Sequence, residues 1–233
     1  MKKLLAPFRY FVDLLYPQAC EACGRPLIDG EQVLCSYCRY EIPLTNFWES
    51  TDNPAAKLFW GKVELEQVSS FFYFTKASRY QQLMHKLKYK GRREIGVYLG
   101  KLYGQYILKS PLYNSIDAII PLPLHTKRIA KRGYNQSEEI AGGIGATLQK
   151  PVLSTALQRN VYTETQTNKN RMERWKNVEN VFSVAKPELL ADRHILLVDD
   201  ILTTGATLEA CVSSILQAVS CKISIATLAY AVY

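Results

Sequence analysis

The stretch that most constrains the fold is Ile195-Leu196-Leu197-Val198-Asp199-Asp200-Ile201-Leu202-Thr203-Thr204-Gly205-Ala206-Thr207. Four apolar residues run into two adjacent carboxylates, and a turn rich in threonine and glycine follows. Apolar residues then recur at Leu208, Val212, Ile215 and Val219. A short continuous apolar run fits a strand buried on both faces, and the later spacing fits a helix packed on one side. The stretch therefore predicts a buried parallel strand, a polar turn at its carboxyl end and a helix that starts at the turn. In open α/β sheets ligands bind outside that edge. Free N–H groups at a helix start favour phosphate, and Gly205 lets it approach the backbone, with Thr203, Thr204 and Thr207 adding hydroxyl donors. Asp199 and Asp200 would repel phosphate, which leaves them to neighbouring diol hydroxyls or to a magnesium ion shared with a second phosphate group. Phosphate and diol at one strand end describe a ribose 5-phosphate. The competing reading is an ordinary strand with an Asp-Asp turn and a threonine N-cap.

This stretch resembles the 5-phosphoribosyl-1-pyrophosphate (PRPP) signature of the type I phosphoribosyltransferases. The resemblance implies that Asp199 and Asp200 serve the ribose hydroxyls, and that Thr203, Thr204, Gly205, Ala206 and Thr207 wrap the 5-phosphate.

A second strand end lies upstream. Asp117-Ala118-Ile119-Ile120 stops at Pro121-Leu122-Pro123, and a basic, glycine-containing turn follows from Lys127 through Arg128, Lys131, Arg132 and Gly133 to Gln136. Ile140, Ile144 and Leu148 then mark a helix, with Gly142, Gly143 and Gly145 allowing close packing. If the first strand end holds ribose 5-phosphate, a basic loop on its neighbour is where a pyrophosphate would be neutralised. Of the three histidines, His85 and His194 show no metal or triad spacing, and His125 is the one close to the basic loop.

Cys20-x-x-Cys23 and Cys35-x-x-Cys38 are separated by 11 residues. Two such pairs around a turn containing Gly24, Pro26 and Gly30 supply the four thiolates that tetrahedral structural zinc needs. A disulfide framework competes, but nothing in the chain points to secretion. Cys211 and Cys221 are expected to be buried thiols.

Combined with these cysteines, Pro121-x-Pro123, Arg128 and Arg132-Gly133-Tyr134-Asn135-Gln136 resemble the ComF family, competence-associated relatives of phosphoribosyltransferases. The match extends through Arg159, Gln166-Thr167, Arg171, Arg174 and Asn177-Val178-x-x-Val181-Phe182. The resemblance implies a mobile hood over residues 166–177. It also implies roles in DNA uptake, with PRPP, single-stranded DNA and competence-machinery proteins as partners. The expected fold class is α/β: a small N-terminal four-cysteine zinc module plus a type I phosphoribosyltransferase-like domain with a mainly parallel central sheet. The expected divisions are an amphipathic helix over 1–16, the zinc module over 17–42, a connection over 43–66 and the main domain over 67–233. Val181 to Val184 is expected as a strand, His194 to Val198 as the central strand and Ile223 to Tyr230 as the closing one.

The remaining stretches are less specific. Leu4, Phe8, Phe11, Val12 and Leu15 form one helical face, and Arg9 and Asp13 interrupt what would otherwise resemble a signal peptide. No apolar run approaches the ~18–20 residues of a membrane span. The expectation is a cytoplasmic protein whose amphipathic start packs on the protein, on a partner or at the inner face of the membrane. Phe47, Trp48, Phe59 and Trp60 give the connection too many aromatics for a free linker, and Val68 to Phe74 reads as a strand. Ile95, Leu99, Leu102 and Tyr106 mark a further helix. Residues 76–93 hold seven Lys or Arg and no acidic residue, with Leu83, Met84 and Leu87 on one helical face. Lys86, Lys88, Lys90, Arg92 and Arg93 suit either a nucleic-acid surface or a solvated basic face. The net charge of +8 favours polyanionic partners without choosing among them.

Phosphoribosyl transfer displaces pyrophosphate through an oxocarbenium-like state, so the departing charge must be neutralised. Magnesium, Arg128, Lys131 and Arg132 suit that task, with Arg171 from the hood. Purine-salvage relatives carry a carboxylate base where Thr203 stands, and a threonine is a poor base at neutral pH. Three readings follow: a phosphoribosyltransferase acting on an unspecified acceptor, a DNA-uptake factor that binds PRPP, and a zinc-stabilised adaptor with a vestigial site.

Overall fold

A computed structural model describes residues 18–161 and 181–232. The helix expected over 1–16 and the hood over 166–177, with Arg171 and Arg174, lie outside them. The described chain opens on a cysteine-bearing hairpin bridged from Ala19 to Pro26, and a short helix α1 (Ser36–Tyr40) follows. Then come α2 (Pro54–Lys57), β1 (Gln67–Phe74), α3 (Arg79–Tyr89), α4 (Arg93–Lys109) and β2 (Ala118–Pro121). After β2 come α5 (Thr126–Arg132), α6 (Gln136–Leu148) and the short strands β3 (Leu157–Arg159) and β4 (Phe182–Val184). β5 (His194–Leu202), α7 (Ala206–Ala218) and β6 (Lys222–Ala231) complete the described chain.

The main sheet has the order β1-β6-β5-β2, with every neighbouring pair parallel. Its alternation of side chains divides the interior in two. Ile119, Leu196, Val198, Ala226 and Leu228 face α3, α4 and α6, while Ile120, Ile195, Leu197 and Ile225 face α7 and the Phe59 segment. Burial on both faces explains the uninterrupted apolar run before Asp199.

Several details differ from the sequence expectations. β5 does not end at Val198, because its ladder with β6 continues through Asp199↔Thr227 and Ile201↔Ala229 to Leu202↔Tyr230. β6 is therefore interior, and β1 is the strand on its far side. β4 does not join the main sheet, since it pairs antiparallel with β3. The basic segment after Pro123 is the helix α5, not a turn. His125 caps it by accepting from the Lys127 N–H at 3.2 Å, and Gly133, at φ 81°, ends it. Val219 lies past the end of α7 in extended backbone. Phe47, Trp48 and Phe59 are buried as expected, but Trp60 is 60% exposed, with Lys57 over its ring. Cys211 is fully buried and Cys221 only partly. No helix among the described residues is long and apolar enough to cross a membrane.

Close packing of α4 against α6 depends on glycine. A Cβ at Gly100 would run into the Ile140 carbonyl, and one at Gly143 into the Val97 carbonyl. Gly145 backs onto Val152, with 2.7 Å left for a Cβ, whereas Gly142 faces open space. Of the α6 glycines, Gly143 therefore serves the helix contact and Gly145 the packing on Val152, while Gly142 takes no part.

Candidate functional site

β2 stops pairing at Pro121↔Val198, one residue before the diacid. One more ladder bond follows, from the Leu122 N–H to the Val198 carbonyl at 2.8 Å, and the missing N–H of Pro121 lies on the edge away from β5. The helices that follow β2 and β5 pack on opposite faces of the sheet, α6 on one and α7 on the other. Strands whose following helices diverge in this way leave a crevice at their carboxyl ends, the ligand position of open α/β sheets. Asp199 and Asp200 stand in that crevice at the end of β5.

Asp199 is anchored on both sides. Its Oδ1 accepts from the Ser137 hydroxyl in the first turn of α6 at 2.9 Å and from the Asp200 N–H at 2.8 Å. Burial pushes its carboxyl well above the usual carboxylate range, and the neighbouring Asp200 charge adds to that. The Asp200 N–H, the Lys88 ammonium and the Ser137 hydroxyl pull partly the other way. Asp200 itself makes an ion pair with Lys88 of α3 at 3.1 Å.

Beyond Leu202 the turn is short. Thr203, Thr204, Ala206 and Thr207 are exposed at the start of the 13-residue α7, and Gly205 is buried at its N-cap with φ 77°. That left-handed conformation favours glycine. Space does too, because a Cβ at Gly205 would sit 3.0 Å from the Phe59 ring. The turn thus presents helix-start N–H groups and threonine hydroxyls beside the diacid, an arrangement that can hold an anion.

The other wall is the segment from α5 into α6. Asn135 caps α6 by accepting from the Ser137 N–H, and its Nδ2 donates to the Leu122 carbonyl at 3.0 Å, which ties the helix start to the end of β2. Arg132 donates to Gln136 at 2.6 Å and lies over the Tyr89 ring. Lys131 is exposed and Arg128 half-buried on α5. Burial lowers the pKa of Arg159 on β3; the Arg128 charge lowers it further, and Asp199 opposes both. Arg128, Arg159 and Asp199 therefore share one electrostatic neighbourhood.

The structure brings the diacid, the 203–207 turn and the α5–α6 segment together. Sequence reasoning missed Ser137 as the anchor of Asp199, although it directly follows the Asn135-Gln136 pair. Lys88 was read as surface charge, and α3 turns it into the crevice. Of the other basic residues, Lys86 reaches Glu21 at 3.1 Å, Arg92 pairs with Glu21 and Glu94, and Arg93 donates to the Gly133 carbonyl. Lys90 is exposed. His194 is enclosed between Ser115 and Ser224 hydroxyls at 2.7 and 2.8 Å, a packing role within the sheet.

The sulfurs of Cys20, Cys23, Cys35 and Cys38 all lie within 4.8 Å of one another. Tetrahedral zinc thiolate bonds imply sulfur separations of about 3.8 Å, and Cys23 and Cys35 stand at 3.7 Å. The set therefore fits a zinc ion. Burial pushes the Cys38 thiol up, and the Arg79 guanidinium, 3.7 Å from its sulfur, favours the thiolate that a metal takes. For magnesium the oxygen chemistry of Asp199 and Asp200 is suitable.

Residues 117–231 match the family described as phosphoribosyl transferase domain. Competence protein F of Haemophilus influenzae is 37% identical over 94 residues, 40% of this chain and 41% of that protein. DNA utilization protein YhgH of Escherichia coli O157:H7 is 33% identical over 128 residues, 54% of this chain and 56% of that protein. These matches support a ComF-family, phosphoribosyltransferase-like protein. It spans about half the length of these two relatives, whereas the 28% identical YhgH of Salmonella typhimurium aligns over 83% of this chain and 88% of that protein. Among solved structures, the glutamine phosphoribosylpyrophosphate amidotransferase of B. subtilis aligns with 61% of this chain and 30% of that chain, at TM-score 0.43 and 18% identity. The phosphoribosyl transferase match begins at Asp117, just before β2, and leaves out the cysteine module, α3 and α4.

Proposed function

We propose that this protein binds PRPP with magnesium in the crevice between β2 and β5 and acts in DNA uptake. The observation that carries the ligand reading is the position of Asp199. It is held by Ser137 across the crevice and stands next to an anion-accepting turn at the start of α7. In this reading the diacid takes the ribose hydroxyls and the 203–207 turn takes the 5-phosphate. Arg128, Lys131 and Arg132 offset the pyrophosphate charge, helped by Arg171. Magnesium would be held by Asp199 and Asp200 and would supply charge neutralisation at the phosphates. The crevice fixes diol and phosphate relative to each other, which is what a reaction at the anomeric carbon requires. Zinc at the four cysteines has a structural role, since a closed thiolate set leaves no open position for substrate.

The DNA-uptake part comes from the relatives' names, competence protein F and DNA utilization protein. A second reading follows from the same names: single-stranded DNA is bound along residues 76–93, with PRPP as a regulator. Neutralising Lys90 and its neighbours should then weaken DNA binding and flatten its salt dependence.

The deciding experiment is calorimetric titration of PRPP and magnesium into wild type and into Asp199→Asn/Asp200→Asn. Wild type should bind, and the double variant should bind at least about tenfold more weakly, a loss of ~1.4 kcal/mol or more. Absence of heat with zinc-loaded wild type would remove the ligand reading.

A further inference from the structure

Lys88 lies outside the residues matched to the phosphoribosyl transferase family, on a helix whose basic residues read from sequence as surface charge. Its ammonium is nevertheless 3.1 Å from Asp200 Oδ1, with the lysine side chain 22% and the aspartate side chain 13% exposed. Both ends of α3 explain the placement. Tyr80 donates to the Cys38 carbonyl at 2.9 Å and Lys86 to the Glu21 carbonyl at 2.8 Å, which fastens the helix to the cysteine module. At its carboxyl end, Tyr134 donates to the Leu87 carbonyl, and Arg132 lies 5.2 Å from the centre of the Tyr89 ring. Leu83, Met84 and Leu87 bury the face between these anchors. The backbone at residue 88 is therefore fixed, and the freedom left to Lys88 is that of its four-carbon stem.

A ribose diol donates hydrogen bonds to carboxylates, so a diol on the diacid takes over the acceptor that Lys88 now uses. The displaced ammonium then needs an anion within reach of its stem. On PRPP the 1-pyrophosphate lies next to the diol, whereas ribose 5-phosphate has only a hydroxyl there.

We propose that Lys88 is a specificity-determining residue of the crevice. It holds Asp200 in the free protein and favours ligands that carry an anionic group at the anomeric carbon. This rests on the ribose-phosphate reading above and adds to it the means by which the site distinguishes the pyrophosphate ester from the free sugar phosphate.

The test is calorimetry of PRPP and, separately, of ribose 5-phosphate, each with magnesium, into the full zinc-loaded chain as wild type, Lys88→Met and Lys88→Arg. Loss of a half-buried charge partner predicts that Lys88→Met binds PRPP about tenfold or more weakly. Its affinity for ribose 5-phosphate should stay at the wild-type level or rise, because Asp200 is released. Lys88→Arg should retain part of the preference. Equal losses for the two ligands would mean that Lys88 only holds Asp200 in place, and would overturn the proposal. So would unchanged binding of both. Should Lys88→Met fail to fold, Lys88→Gln keeps most of the stem and carries the same comparison. Wild type that binds ribose 5-phosphate but not PRPP overturns the inference while leaving a sugar-phosphate site. Wild type that binds neither removes the site reading and the inference with it.

Discussion

Asp199 costs the free protein stability. Burial, followed by the charge of Asp200, raises its pKa, so the folded chain retains a proton that the unfolded chain gives up at about pH 4. For a raised carboxyl, the stabilising contribution is fully present below the unfolded value and is lost as pH rises through the folded value. Asp199→Asn removes the ionisation. It should raise the melting temperature of the ligand-free protein more at about pH 8 than at about pH 5. Thermal melts at the two values check this, and an equal shift at both would contradict the burial argument. The diacid itself was legible in the sequence because two adjacent carboxylates after an apolar run are hard to place elsewhere. Its anchor Ser137 was not, because 61 residues separate it from Asp199 along the chain.

At the scale of elements, the α4–α6 contact sets the position of Ser137 and hence of one crevice wall. Gly100 and Gly143 let two backbones meet, so Gly100→Ala must separate the helices. It should cost about 1–3 kcal/mol or more despite alanine's better helix propensity. Gly142→Ala, in open space on the same helix α6, should instead stabilise by about 0.5–1 kcal/mol. Urea denaturation of the two variants measures opposite signs if the packing is as described. Sequence spacing marked Gly142, Gly143 and Gly145 alike, because a helix pattern shows which residues are small but not which face meets a neighbour. In the same way, Lys and Arg after Pro123 read as a basic loop. Helix α5 formed because His125 caps its start and Gly133 ends it.

Across the whole molecule, the cysteine module and the sheet share one interior. Cys20, Leu34, Cys35 and Cys38 belong to the same buried cluster as Phe72, Leu83, Leu87 and Leu196. Through α3 this cluster reaches Asp200. Removing zinc should therefore loosen more than the cysteine hairpin, since ligand thiolates left without metal repel or protonate and release their neighbours. Hydrogen exchange after chelation should show lost protection in residues 18–42 and 79–93, while β5 and β6 keep theirs. Protection unchanged in α3 would show that the module and the helix are mechanically separate.

Local chemistry is what the sequence determined unaided: the apolar run and diacid of β5, the threonine turn, the paired cysteines and the apolar faces of α3, α4 and α7. Each depends on residues a few positions apart, where periodicity and side-chain chemistry leave few options. Tertiary structure decided what meets what. It divided the sheet into two faces, ended β2 one residue before Asp199, seated Phe59 against Gly205 and delivered Lys88 to Asp200. Those contacts join residues far apart in the chain, and they form only because packing, rather than local propensity, fixes where each helix lies.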